Sequence, residues 1–563
     1  MSPPQSSTVD SGTSPTFEVV CLDCGRRDPY HPLQAACRAC GSLWLEARYD
    51  LEAGRRALLG LDERSRRDLW RYAPLLPLAE VPAGLPMGEG GTPLLRADNL
   101  GLLLGLPHLF IKDERRGPTS SFKDRQAAVT TAVLRLAGVR EAVVASTGNV
   151  ALAYSAYCAR VGIQLWAFLT SRVPAAKMHE VALYGTQVVK VTSTYDRVKD
   201  LAAEFAARHG HYFDRSSASV ASVESMKTIA FEIAEQLGAT DGPPAWRAPD
   251  WYVQAVSGGV GPHGVWKGFR ELLQMGLIDR IPRIAVIQAE GCAPMVRAWK
   301  AGSDEVEPVE APSTRIYTLS TGDPGRSYTL LRHRLMEGTG GTFESVSDEE
   351  AIQAMHLLAK MEGLSGEAAA GVAFAGLIKL ARQDVIRPEH RVVVNLSGHS
   401  MPVEEEALGE GWFRDLAAVQ AGAELAEDGL LAALGNLDLR MTREILLVDD
   451  HPEARRLLRR ILHAHGEYEI REASSGPEAL AMADERPPDL MILDLMMPGL
   501  DGFAVLDALK RQEATAAVPV IVVTAKELTP GEERRLQGRI TRLMTKGEFL
   551  SEDLLGEIDR ALE

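Results

Sequence analysis

Pro118-Thr119-Ser120-Ser121-Phe122-Lys123-Asp124-Arg125 is a turn of small residues that runs into a lysine and then into an apolar-periodic segment, 126–137, closed by Gly138. The periodicity predicts a helix with Lys123 at its start. A helix N-terminus already carries partial positive charge, so an amine there gives up its proton at small cost. A neutral amine can condense with an aldehyde to a Schiff base. On this octapeptide alone, an exposed lysine in a helix cap reads equally well.

The flanking segments predict the fold. Residues 109–112 read as a strand feeding the lysine loop, and 141–145, 163–169 and 186–191 as strands alternating with helices at 150–161, 174–184 and 195–208. Such alternation predicts an α/β fold, a parallel sheet with helices on both faces. Ser146-Thr147-Gly148-Asn149 then falls between a strand's carboxyl end and a helix N-terminus, where α/β sheets bind ligands and free N–H groups meet anions. A plain helix cap would look the same. Ser257-Gly258-Gly259-Val260-Gly261-Pro262 follows a strand at 251–256 and leads into a helix near Trp266. Glycines let backbone N–H groups approach a phosphate closely. A lone glycine loop says little, but joined to Lys123 it points to a phosphorylated aldehyde cofactor. Ser397-Gly398-His399 follows a strand at 391–396, and His399 by itself reads as structural.

A chain of 563 residues is too long for one core, and two to four domains are expected. With 61 Lys and Arg against 77 Asp and Glu, the net charge of −16 argues against a nucleic-acid partner. No apolar run reaches membrane-spanning length and no signal peptide is visible, so a cytoplasmic protein without a membrane partner is expected. Residues 1–15, rich in Ser, Pro and Thr, read as a disordered tail. Cys21-x-x-Cys24 and Cys37-x-x-Cys40 lie twelve residues apart, each pair followed by a glycine. Four thiolates so spaced suit structural Zn²⁺, with reduced free thiols as the other reading, and a closed four-cysteine site has no catalytic position. Residues 16–50 are therefore expected to form a zinc-ribbon-like segment built on these four cysteines.

These motifs, with Lys227-Thr228-Ile229-Ala230-Phe231-Glu232 and the run Arg48-Tyr49-Asp50-Leu51 after the ribbon, stand in family order. The span from about 20 to 403 resembles the threonine synthase branch of the fold-type II pyridoxal-phosphate enzymes. The resemblance implies two doubly wound α/β subdomains over 51–403 and a homodimer. It implies that Lys123 carries pyridoxal 5′-phosphate and moves protons, and that Asn149 bonds the cofactor's 3′-hydroxyl. Gly258, Gly259, Val260 and Gly261 would cradle its phosphate, and Ser397 would face the pyridine nitrogen. Ser146 and Thr147 would hold the carboxylate of a small amino-acid substrate. The implied reaction takes O-phosphohomoserine and water to threonine and phosphate. The chain departs from the family pattern at Val150, at Ser219-Val-Ala-Ser222 in place of Asn-Pro-x-Arg, and at Glu367-Ala-Ala-Ala370 in place of Glu-Pro-x-Ser. A substrate phosphate wants a bidentate cation, which Ser222 cannot supply. Either Lys227 substitutes for the arginine, or the enzyme performs β-replacement or elimination on another amino acid. A non-catalytic scaffold is the reading outside enzymes.

Residues 404–442 turn to Ala, Leu and Glu, and the helical spacing of Trp412, Leu416 and Val419 predicts a helical linker. In 443–563, strands are expected at 444–448, 490–493, 520–523 and 542–545, within five strand–helix repeats. They end in Asp449-Asp450, Asp494, Thr524 and Lys546, so these side chains converge on one sheet edge. Three acids there suit Mg²⁺, and a lysine beside them suits a phosphoryl group. This unit resembles the flavodoxin-like (βα)5 receiver domain of two-component response regulators. That implies Asp494 as phosphoacceptor and Mg²⁺ held by Asp449, Asp450, Asp494 and the Met496 carbonyl. Thr524 and Lys546 would be switch residues, and a sensor histidine kinase or phosphotransfer protein the partner. Leu543, where the family often has an aromatic residue, and Gly547, where Pro is usual, are departures. The chain ends after the last receiver helix, so the enzyme-like body is expected to be the output.

Overall fold

The computed structural model describes residues 17–61, 66–239, 246–338, 340–399, 414–415, 443–465, 468–524, 526, 528–545 and 551–562. They form two compact units, Met1–Glu424 and Leu425–Glu563. The expected tail 1–15 lies outside the described residues, as do Trp412, Leu416, Val419, Lys546 and Gly547.

Among its described residues the first unit holds three sheets. Phe17–Cys21 pairs antiparallel with Arg27–Asp28 on one side and Leu45–Tyr49 on the other, which makes the small cysteine ribbon. A six-stranded sheet runs in the order Thr342–Val346, Arg283–Ala289, Trp251–Ala255, Val392–Leu396, Leu109–Asp113, Leu94–Arg96. All of its pairs are parallel except the last. A five-stranded parallel sheet runs in the order Arg414–Asp415, Gln187–Val191, Gln164–Thr170, Glu141–Ser146, Tyr212–Phe213. Helices cover both faces of the larger sheet, so its strands bury alternate residues in different cores: Trp251 and Val253 in one, Tyr252 in the other. Arg414–Asp415 corrects the expectation of a helical linker at that point. These two residues extend the sheet beyond Gln187–Val191, pairing with Val189 and Lys190.

The lysine helix, Lys123–Leu136, is buried from Asp124 to Leu134 and packs against the helices Asn149–Val161 and Val220–Ala239. Val220–Ala239 in turn crosses the helix Val260–Gln274 closely. A Cβ at Gly264 would sit 2.5 Å from the Val223 carbonyl oxygen, and one at Gly268 2.5 Å from that of Lys227. Only glycine allows this approach.

The second unit is a parallel five-stranded sheet in the order Tyr468–Ala473, Arg443–Val448, Leu490–Leu493, Val520–Thr524, Arg542–Thr545, with helices between the strands. Leu446, Val448, Met491 and Leu493 pack on one face, and Ile445, Leu447, Leu490 and Ile492 on the other. Among the described residues of the chain, no helix is long and apolar enough to cross a membrane.

Candidate functional site

Asp124 shapes the loop before Lys123. Its carboxylate accepts from the Thr119 N–H at 3.0 Å and the Thr119 hydroxyl at 2.5 Å, folding the small residues back over the first helical turn. Arg125, fully buried, bonds Glu114 and Glu232 and so ties that turn to two other elements. The Phe122 N–H donates to the Ser397 carbonyl at 2.9 Å, and the His399 N–H donates to the Ser120 carbonyl at 2.9 Å. The lysine loop and the Ser397 turn, far apart in sequence, are thus stitched together.

Both open onto a cavity of about 420 Å³. Lys123, Ser146, Thr147, Asn149, Gly258, Gly259, Val260, Gly261 and Ser397 all line it. Lys123 Nζ lies 4.4 Å from the centre of the Phe122 ring and 3.4 Å from Gln126 Oε1. Burial pushes its amine down to about 8, against the opposing pull of Asp214 and Glu367. The Ser146 hydroxyl oxygen accepts from the N–H groups of Gly148 at 2.9 Å and Ala151 at 3.1 Å, so it caps the following helix while its proton stays available. The Thr147 hydroxyl donates to the Thr318 carbonyl at 3.4 Å. Asn149 is held on both sides. Its amide nitrogen donates to Glu367 at 2.7 and 3.0 Å, and Lys177 Nζ donates to its amide oxygen at 2.6 Å. The Ser397 hydroxyl donates to the same Glu367 at 3.2 Å.

The glycine loop sits at the N-terminus of Val260–Gln274. Gly259 has φ 93, and a Cβ there would lie 2.8 Å from the Ser327 hydroxyl. Ser327 donates to the Gly258 carbonyl at 2.7 Å and is itself met by His263 Nε2 at 3.0 Å. Arg334 donates to His263 Nδ1 at 2.7 Å and to Glu46 of the ribbon strand at 3.0 Å. The ribbon is thereby wired to the glycine loop. A low-pKa lysine at one wall and the N-terminus of a 15-residue helix at another are a donor set that fits a phosphorylated aldehyde.

Lys227 is corrected. It is fully buried between two helices, 2.8 Å from Glu224 and 2.9 Å from Glu271, and 3.7 Å from the centre of the Tyr49 ring. It does not line the cavity. Desolvating a lone ammonium is costly, so the paired acids hold it there. Glu367, Lys177 and Arg215 were missed as site residues. The acid of Glu367-Ala-Ala-Ala370 was the available signal for the first. Nothing local marks the other two. Trp44, in a ribbon read as purely structural, also forms part of the cavity wall.

The four ribbon sulphurs lie within 4.8 Å of one another, with Cys21–Cys40 and Cys24–Cys37 at 3.6 Å. Tetrahedral zinc with bonds of about 2.3 Å puts sulphurs about 3.8 Å apart. In the second unit, Val448 pairs with Leu493, so Asp449 and Asp494 leave the sheet at one end. Asp449 and Asp450 group with His451, their ligand atoms within 4.8 Å of one another. The Met496 N–H donates to Asp494 at 3.1 Å, and Thr524 is buried at the end of its strand.

A lysine, a glycine-rich helix start and an amide-bearing turn around one cavity define an enzyme class that works through a carbonyl cofactor. Residues 85–398 match the family described as "Pyridoxal-phosphate dependent enzyme", and 445–558 match "Response regulator receiver domain". The chain is 33% identical to the threonine synthase of Methanocaldococcus jannaschii over 69% of this chain and 93% of that protein. It is 33% identical to that of Methanosarcina acetivorans, over 68% and 91%. It is 32% identical to that of Mycobacterium tuberculosis, over 60% and 89%. Among solved structures it is similar to threonine deaminase isoform 2 from Solanum lycopersicum, with a TM-score of 0.45 and 20% identity over 55% of this chain and 84% of that one. The chain belongs to the pyridoxal-phosphate dependent enzyme family, with threonine synthases as relatives, and carries a C-terminal receiver domain.

Proposed function

We propose that the first unit converts O-phosphohomoserine and water to threonine and phosphate, and that phosphorylation of Asp494 in the receiver regulates it. One observation carries the reading: Lys123, held half-neutral near pH 8, shares a cavity with the glycine-loop helix start and the Asn149 turn. Pyridoxal 5′-phosphate, when bound, supplies an electron sink for bonds at the substrate's α- and β-carbons. The protein does the rest. Gly258, Gly259, Val260 and Gly261 offer backbone N–H groups to the cofactor phosphate, and Asn149, fixed by Lys177 and Glu367, orients the ring. Ser397, whose hydroxyl donates to Glu367, would face the ring nitrogen with a neutral group. Ser146 and Thr147 receive the substrate carboxylate at the N-terminus of Asn149–Val161. Lys123 Nζ takes and returns protons at the substrate carbons.

A second reading is favoured by one observation. Ser222, at the place of the family arginine, is buried with its hydroxyl donating to Asp214 at 2.9 Å, and Lys227 is locked away. Replacement or elimination on another amino acid follows if nothing else in the cavity receives a phosphate. Zn²⁺ at Cys21, Cys24, Cys37 and Cys40 and Mg²⁺ at Asp449, Asp450, Asp494 and the Met496 carbonyl belong to the same proposal. Metal analysis of purified protein, with Cys24→Ser and Asp450→Ala, tests them. The reaction is tested by phosphate release and threonine formation from O-phosphohomoserine, with Lys123→Ala as control. Matching, lysine-dependent amounts are expected. A loaded protein that releases neither would overturn the threonine reading.

A further inference from the structure

Among the described residues, the cations of the cavity wall besides Lys123 are Lys199, Arg215 and Arg326. Two of them are already paired. Lys199 Nζ lies 3.2 Å from Asp196, and both Arg326 Nη groups are held by Asp23 of the ribbon. Arg215 differs. Its guanidinium lies 5.5 Å from the centre of the Phe213 ring, and it donates to the Phe213 carbonyl at 3.3 Å. Among the described residues it makes no ion pair.

The neighbouring carboxylate does not neutralise it. Asp214 accepts from Gln126 at 2.7 Å, Tyr154 at 2.7 Å, Ser222 at 2.9 Å and the Ser216 N–H at 3.0 Å. Ser216, so held, adopts φ 52, a left-handed conformation unusual for a residue with a side chain. The backbone leaves the strand Tyr212–Phe213 in a sharp turn, and Arg215, Ser216 and Ser217 all end up lining the cavity. A planar fork of N–H donors without an ion pair, on the same cavity wall as Ser216 and Ser217, matches a phosphate ester.

Resting on the reaction proposed above, we infer that Arg215 is the specificity-determining residue that receives the phosphate end of the substrate, in the role vacated at Ser222. The substrate class is then an α-amino acid whose side chain ends in a phosphate ester, and uncharged analogues are discriminated against at this residue.

The test uses the full chain loaded with cofactor, as wild type, Arg215→Ala and Arg215→Lys. Inorganic phosphate binding is measured by calorimetry, KM by turnover of O-phosphohomoserine, and homoserine binding by its inhibition of that turnover. Arg215→Ala is expected to weaken phosphate and raise KM by about 10- to 100-fold, the range for a lost charge-assisted bond. Homoserine binding and cofactor affinity should move less than about twofold, and Arg215→Lys should recover part of the loss. Unchanged phosphate binding in Arg215→Ala, or no phosphate binding by wild type, would overturn the inference. So would a fall in cofactor affinity alone, which would assign Arg215 to the cofactor. If wild type binds phosphate through Arg215 yet turns over no O-phosphohomoserine, the reaction fails while the anion subsite stands.

Discussion

The place of Lys123 at a helix start was legible, because a small-residue turn and an apolar-periodic flank act over a few residues. Its reactivity was not, because burial, which only folding supplies, is what pushes the amine down to about 8. At pH 7.5 about a quarter of the amine is then neutral, against about one part in a thousand at an ordinary lysine pKa. The rate at which cofactor-free protein reloads with pyridoxal 5′-phosphate should therefore climb as pH rises from 6.5 and level off above about 8. Stopped-flow absorbance checks this, and a rate still climbing steeply beyond pH 9.5 would contradict it. Glu367 was not legible in the same way. Its carboxylate joins Asn149 and Ser397, residues 218 and 30 positions away, and only folding brings these three together.

Lys227 shows where motif reading fails at the scale of the element. It opens the Lys227-Thr228 run that carries part of the family resemblance, but the face it occupies on Val220–Ala239 is set by packing against Val260–Gln274. Gly264 and Gly268 draw those helices together, so Lys227 points at Glu224 and Glu271 and away from the cavity. Lys227→Ala should cost about 3 kcal/mol of stability, because it leaves buried carboxylates short of a counter-ion. Lys267, which also pairs with both acids, keeps the loss from being larger. The KM of the folded enzyme should not change. Denaturant unfolding and steady-state kinetics together check the point, and a raised KM at unchanged stability would return Lys227 to the substrate site.

For the molecule as a whole, the receiver is the testable addition. Asp494 follows the buried central strand Leu490–Leu493 at the same end of the sheet as Asp449, and it is the proposed phosphoacceptor. A small phosphodonor with Mg²⁺ is expected to change kcat or KM of the wild type at least threefold, an order-of-magnitude threshold for a regulatory switch. Asp494→Ala should respond no differently from untreated protein. Steady-state kinetics of the full chain checks this, and equal responses from both would remove the regulatory reading.

The sequence by itself determined most of the strands and helices and the strand ends at which the candidate residues lie. Hydrophobic periodicity and glycine turns act over a few residues, so the strands expected at 141–145, 163–169, 186–191 and 490–493 lie within a residue of Glu141–Ser146, Gln164–Thr170, Gln187–Val191 and Leu490–Leu493. Tertiary structure alone decided which strands share a sheet. Leu109–Asp113 precedes Glu141–Ser146 in the chain, yet it pairs with Val392–Leu396 in the other sheet. That pairing closes the cavity by bringing Lys123 to Ser397. Packing of Val220–Ala239 on Val260–Gln274 turns Lys227 inward, and among the described residues Arg215 is left without an ion pair. Such choices depend on contacts between segments far apart in sequence, and no local pattern encodes them.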